Sequence, residues 1–241
     1  YKLVPYGISD FEQLRKENKY LVDKTMFFEK MERAGNFLFL VRPRRFGKSL
    51  FLDMLESYYD INQKDNFQEL FKGLYVAEHP TKEQGEFLVL HLNFSMVGSN
   101  LDTLYEDFNI YLSRRCEFFA KKYAEYYPEG FVEDMLREKT EMGMLNRIYD
   151  ASHELRLKLY LIVDEYDNFT NNVLNVKGQQ AYHELTHGTG FYRDIFKLFK
   201  PMFHRIIMLG VSPITLDDLT SGYNIALNMS LDARFNQMLG F

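Results

Sequence analysis

Four runs of this sequence are apolar at nearly every position: NFLFLVRP (36–43), EFLVLHLNFS (86–95), LYLIVDE (159–165) and RIIMLGVS (205–212). A strand with one wet face alternates apolar and polar side chains, whereas a strand covered on both faces does not. These runs therefore predict a parallel sheet with helices on both sides. NIALNMSL (224–231) is a weaker fifth run. Helix-like stretches lie between them: KSLFLDMLESYYD (48–60), LDTLYEDFNIYLSRRCEFFAKKYAEYY (101–127) and FVEDMLREKTEMGMLNRIYDASHELR (131–156). Strands alternating with helices give a layered α/β domain. Ahead of the first strand, residues 10–17 and 24–34 read as two short helices around VDKT (22–25).

A chain of 241 residues can bury a sizeable core. With 46% hydrophobic and 26% charged residues it reads as globular rather than disordered. No apolar run approaches the roughly 20 residues that span a bilayer. The first residues, YKLVPYGISDF, have neither an initiator Met nor the charged-then-apolar layout of a signal peptide, which predicts a fragment of a longer chain. Cys116 is the single cysteine, so no intrachain disulfide can form, and a reducing cytoplasm is the expectation. Cys116 itself reads as a core or half-buried helix residue. A formal charge of −5 argues against broad electrostatic coating of nucleic acid and leaves a local basic patch open.

RPRRFGKS, Arg42 to Ser49, follows the first strand directly. It matches the phosphate-loop pattern G-x-x-x-x-G-K-[ST] at Gly47, Lys48 and Ser49, with Arg42 in place of the first glycine. The chemistry explains what is kept. Gly47 lets the backbone approach phosphates, and the amides from Arg44, Arg45 and Phe46 through Leu50 would point at them. Lys48 would neutralise phosphate oxygens, and the Ser49 hydroxyl would bind Mg²⁺. Pro43 restricts Arg42 to extended geometry, so the loop is expected to open differently from the usual one.

The third run ends in Asp164 and Glu165. A buried strand delivers such carboxylates to the C-terminal sheet edge, where α/β sheets bind ligands. Asp164 would hold Mg²⁺ through water, and Glu165 would orient or deprotonate the attacking water.

A competing motif is HELTH (183–187), which fits the helical zinc pattern H-E-x-x-H. It would need His183 and His187 on one helical face and Glu184 as base. Arg193 stands where the longer motif wants its third His, and an arginine repels a cation. The stretch also lies between the third and fourth strands, ahead of a segment (188–200) that reads as an amphipathic helix burying Phe191, Ile195, Phe196 and Phe199. A chance match is the expectation, with a zinc hydrolase the remote alternative.

Taken with VPYGISDFEQLR (4–15), YLVDKT (20–25), LFKGLYV (70–76), LNFS (92–95), LIVDEYDNF (161–169), GVSPIT (210–215) and SGYNIALNMSLDARFNQMLGF (221–241), these motifs resemble the bacterial AAA-ATPase-like family of the AAA+/STAND group. The resemblance implies a P-loop three-layer sandwich with sheet order 5-1-4-3-2. It implies an ATP- and Mg²⁺-dependent NTPase in which Lys48 and Ser49 serve nucleotide and metal, Asp164 the metal and Glu165 the water. Ser212 falls where related ATPases keep a polar residue between Mg²⁺ and the γ-phosphate. Adenine would rest near Tyr6 to Ile8. A nucleotide-gated interaction switch with little turnover is the alternative.

Residues 1–35 are expected to be an extension packed on a core of 36–241. The family continues beyond MLGF into a helical lid and often a PD-(D/E)XK-like nuclease domain, which leaves a second copy of the chain and nucleic acid open as partners. Asn168 departs from the Lys that often follows DEYD. Arg205 and Arg234 are candidate trans-acting arginines by location, with salt-bridged roles the plainer expectation.

Overall fold

A computed structural model describes residues 2–5, 7–98, 100, 102–186, 191–212 and 226–240, without the side chains at 169, 183–186 and 191–194. Five parallel strands form one sheet: β1 (Phe37–Val41), β2 (Phe87–Asn93), β3 (Lys158–Asp164), β4 (Arg205–Gly210) and β5 (Leu227–Asn228). Their order is β2-β3-β4-β1-β5, which is 5-1-4-3-2 read from the other edge. The register pairs Asn93 with Asp164 and Val41 with Gly210, so the C-terminal strand ends line up along one edge.

Both faces of the sheet are dry, as the continuous apolar runs require. Phe39, Leu90, Leu161, Val163 and Met208 point into one core. There they meet α6 (Leu104–Lys122), α7 (Phe131–Leu136), α8 (Glu141–Glu154), α9 (Asn168–Thr186) and α10 (Phe191–Met202). Their strand neighbours Leu38, Leu40, Val89, Ile162 and Leu209 point into the other. That second core is closed by α3 (Lys48–Tyr59) and by Phe11 and Phe28 from α1 (Phe11–Lys16) and α2 (Phe27–Ala34). Alternate side chains thus serve opposite layers. No described helix is long and apolar enough to cross a membrane.

Three differences from the sequence reading have local causes. The stretch 131–156 divides into α7 and α8, because Thr140 is extended and its hydroxyl caps α8 by accepting from the Gly143 amide. The stretch 101–127 ends as α-helix at Lys122, where Tyr123 turns inward and accepts the Val89 amide at 2.9 Å. Two further short helices, α4 (Phe67–Leu70) and α5 (Tyr75–Glu78), carry no periodic signal at four residues each. In α10, Ile195, Phe196 and Phe199 are buried as expected.

Candidate functional site

β1 delivers the chain to the sheet edge, and the Arg42 amide extends the ladder by donating to Gly210 at 3.1 Å. The Arg42 guanidinium turns away from the loop opening. It donates to the carbonyls of Val41, Ser230 and Phe235. The residue that replaces the expected glycine therefore ties the loop to the segment after β5. Arg44, Arg45 and Phe46 are exposed, with Arg45 at φ 67° and Gly47 at φ 79°. This left-handed turn is inexpensive for glycine and costs an arginine backbone strain. Gly47 then opens α3 with no side-chain cap, so the first amides of that helix face outward without intrahelical partners. Leu50 is half-buried on the far side of this turn.

Lys48 is 7% exposed, and its ammonium donates to the loop's own carbonyls, Arg42 at 3.1 Å and Pro43 at 3.0 Å. Burial lowers its pKa, opposed by the charges of Asp164, Glu165 and Asp167. Ser49, one residue on, is exposed and donates to Asp164 Oδ2 at 2.6 Å, a contact across 115 positions of sequence.

Asp164 is 2% exposed at the end of β3. Its other oxygen accepts the Glu165 amide at 2.9 Å. Glu165 adopts φ 49°, a left-handed conformation uncommon outside glycine. Burial, then the adjacent Asp164 charge, raise the pKa of Glu165. A carboxylate in that condition holds a proton more readily than an ordinary glutamate, which suits a base.

The rest of DEYD is a brace. Tyr166 donates its hydroxyl to the Ser212 carbonyl at 2.8 Å. Asp167, 1% exposed, accepts the amides of Val211 and Ser212 and the Asn171 side-chain amide. These bonds hold the end of β4, and hence Ser212, beside the end of β3. Gly210 permits this approach, since an added Cβ would lie 2.4 Å from the Tyr166 ring and 2.6 Å from Asp167 Oδ1. Sequence reasoning passed over Tyr166 and Asp167. The signal in the sequence was a third acid, Asp167, three residues after Asp164.

A cleft of about 690 Å³ opens beside Ser49 and Asp164. Its floor is His91 and Asn93, on the same face of β2. Asp53, one turn along α3 from Ser49, lines it and accepts the Phe11 amide at 2.6 Å. Burial pushes the Asp53 carboxyl up to about 6. Ser9 also lines the cleft, while Tyr6, proposed beside adenine, lies outside the described residues.

Other singled-out residues have structural posts. Arg205 sits at the start of β4, the edge opposite the loop, and is 8% exposed. It grips Glu83 with two bonds and donates to the Gly35 and Glu32 carbonyls. Arg234 pairs with Asp232 at 2.5 Å. In VDKT, Asp23 accepts the Tyr75 amide, Thr25 accepts the Val76 amide and Lys24 donates to the Gln237 carbonyl, so the motif is a staple between α5 and the C-terminal segment. Cys116 is fully buried, and burial pushes its thiol up to about 12. His187 of HELTH lies outside the described residues, as do the side chains of His183, Glu184 and Arg193.

The donor set can be tested against Mg²⁺. The ion takes hard oxygen ligands at about 2.0–2.1 Å in an octahedron, which puts adjacent ligand oxygens about 2.9 Å apart. Ser49 Oγ and Asp164 Oδ2 are both hard oxygens, 2.6 Å apart, one exposed and one buried. They fit the ion with a shift of a few tenths of an ångström. The outward amides of α3 and the Lys48 ammonium fit phosphate in the same way.

A family model described as predicted AAA-ATPase matches residues 5–220. Over 251 aligned residues the chain is 27% identical to a protein of Azotobacter chroococcum mcd 1 described as an uncharacterized protein in the vnfD 5′ region. That match takes in 100% of this chain and 43% of the other, so the chain spans less than half the length of this relative. No solved structure matches the chain. The family match runs from before α1 to beyond β4, across loop, acids and brace together, and the chain belongs to the predicted AAA-ATPase family.

Proposed function

We propose that this chain is the ATP-binding, Mg²⁺-dependent hydrolysis module of a larger protein. The reading is carried by the Ser49–Asp164 contact of 2.6 Å, at the head of a helix that also bears Lys48. Lys48 leaves the Arg42 and Pro43 carbonyls to neutralise the β- and γ-phosphate oxygens, and the amides from Arg44 to Leu50 wrap the phosphates. Ser49 and Asp164 would hold Mg²⁺. When bound, that ion spreads the negative charge of the triphosphate as the terminal bond breaks. Glu165 takes a proton from the attacking water, aided by its raised pKa. Ser212, held by the Asp167 and Tyr166 brace, contacts the terminal phosphate. Residues 1–35 act as an extension that packs on the core from 36 onward.

The test pairs two variants. Lys48→Ala is expected to lose nucleotide affinity tenfold or more. Glu165→Gln is expected to keep affinity and lose about 100-fold or more in turnover. Unchanged phosphate release in both would refute the assignment.

One observation favours a second reading. Lys48 and Ser49 are already satisfied within the protein, so nucleotide must break both sets of contacts to enter. That couples binding to loop rearrangement, which is what a nucleotide-gated switch with little turnover needs. Tight equilibrium binding of ATP with negligible steady-state phosphate release, with and without DNA and at each assembly state, would select the switch.

A further inference from the structure

The α6 wall of the cleft has a charge pattern that the nucleotide reading does not use. Asp107, Ile110, Tyr111, Arg114 and Arg115 line the cleft at the spacing of one helix face. The helix is pinned there, because the Asn93 amide donates to the Tyr111 hydroxyl at 2.6 Å. Asn93 is in turn the register partner of Asp164, so the face stands at a fixed place beside Ser49 and Asp164.

Arg114 and Arg115 form no hydrogen bond or ion pair among the described residues; the Arg115 guanidinium rests over the Phe118 ring, 5.1 Å from its centre, with its Nε turned into the protein. The other sheltered cations are satisfied. Arg205 has Glu83, Lys122 has Glu56 and Asp60, and Arg42 and Arg15 have backbone carbonyls. Two arginines on one wall of a cleft, neither with an acid against it, leave a positive charge that an anionic ligand would meet.

We propose that Arg114 and Arg115 form a second anion site, for a small phosphorylated or carboxylated ligand that lies beside the nucleotide. Two guanidinium forks match the planar or tetrahedral oxygens of those groups. The cleft volume, about 690 Å³, is that of a small-molecule pocket. Asp107 lies about 10 Å along the same helix face, seven residues from Arg114. With Asp53 it gives the cleft two carboxylates besides the metal-holding Asp164, a pattern that disfavours a long polyanion and accepts one anionic end with hydroxyls behind it. His91 and Asn93 on the floor would take those hydroxyls.

The proposal goes beyond nucleotide binding, and its test separates the two. Inorganic phosphate and succinate are titrated calorimetrically into the chain alone and into the chain saturated with Mg²⁺ and AMP-PNP. One of the two anions is expected to bind saturably in both states. Lys48→Ala should retain that binding, and the double variant Arg114→Gln, Arg115→Gln should weaken it at least tenfold. Arg114→Gln alone changes only an exposed side chain and is expected to weaken it threefold, which covers a double variant that fails to fold. Binding of neither anion, unchanged affinity in the arginine variants, or displacement by AMP-PNP overturns the proposal; displacement would mean that the arginines serve the nucleotide. Binding of a single-stranded oligonucleotide in place of both anions also overturns it. Arginine-dependent anion binding in a chain that takes no nucleotide would refute the ATPase reading and leave this one standing.

Discussion

Replacing Gly210 by alanine tests whether the brace between β3 and β4 is as tight as its geometry states. The new methyl would sit 2.4 Å and 2.8 Å from two Tyr166 ring carbons and 2.6 Å from Asp167 Oδ1. Carbon pairs settle at about 3.5–4.0 Å, so the ring must retreat by about 1 Å. It has little room: Tyr166 is fully buried, its amide donates to Leu209 and its hydroxyl to Ser212. Overpacking of this kind costs about 1–3 kcal/mol. Losing one amide bond to the Asp167 carboxylate adds about 1.5–3 kcal/mol. The expected loss is therefore about 2.5–6 kcal/mol, read by urea unfolding followed by far-UV circular dichroism, since the chain has no Trp. Because Glu165 is the residue before Tyr166, turnover should fall as well, even where the variant is folded. Gly47→Ala is the contrast: at φ 79° with open space around it, the methyl meets nothing and only backbone strain of about 1–2 kcal/mol is expected. A Gly210→Ala protein within 1 kcal/mol of the parent would refute the reasoning.

Glu83→Gln removes the counter-ion of the buried Arg205, which keeps the Gly35 and Glu32 carbonyls, and should cost about 3 kcal/mol in a denaturant titration, with nucleotide affinity unchanged because the pair lies at the opposite sheet edge. Asp53 titrates near 6 in the fold against an ordinary 3.8, so between those values the folded chain holds more protons than the unfolded one. Stability contributed by its protonated form is present below the lower value and lost as pH rises through the upper, by up to about 3 kcal/mol. Asp53→Asn should flatten that slope between pH 4 and 6.5; a profile identical to the parent's would remove Asp53 as its source.

What the sequence made legible was set by burial. Short continuous apolar runs separated by helix-length amphipathic stretches fit a sheet covered on both faces, and the loop and acid motifs mark the edge where its strands end. Among the described residues the weak run at 224–231 holds a two-residue strand, and its pairing with β1 completes the expected order. Less legible were residues whose work is to hold others. Asp167 reads as one more turn acid until its oxygens are seen to collect the amides after β4. VDKT reads as a motif and works as a staple. Arg42 reads as a defective glycine, and its job is to reach Ser230 and Phe235, 188 and 193 positions away. Such long-range partners leave no periodic trace, because they depend on which strand ends lie side by side.

The C-terminal segment gives the phosphate loop an unusual neighbour. Gly240 donates to the Phe46 carbonyl at a place where an added Cβ would lie 3.1 Å from the Phe46 ring, while Ser230 and Phe235 hold Arg42. A tug on the last few residues would reach the loop through these contacts, and a loop that opens would push back along the same short path.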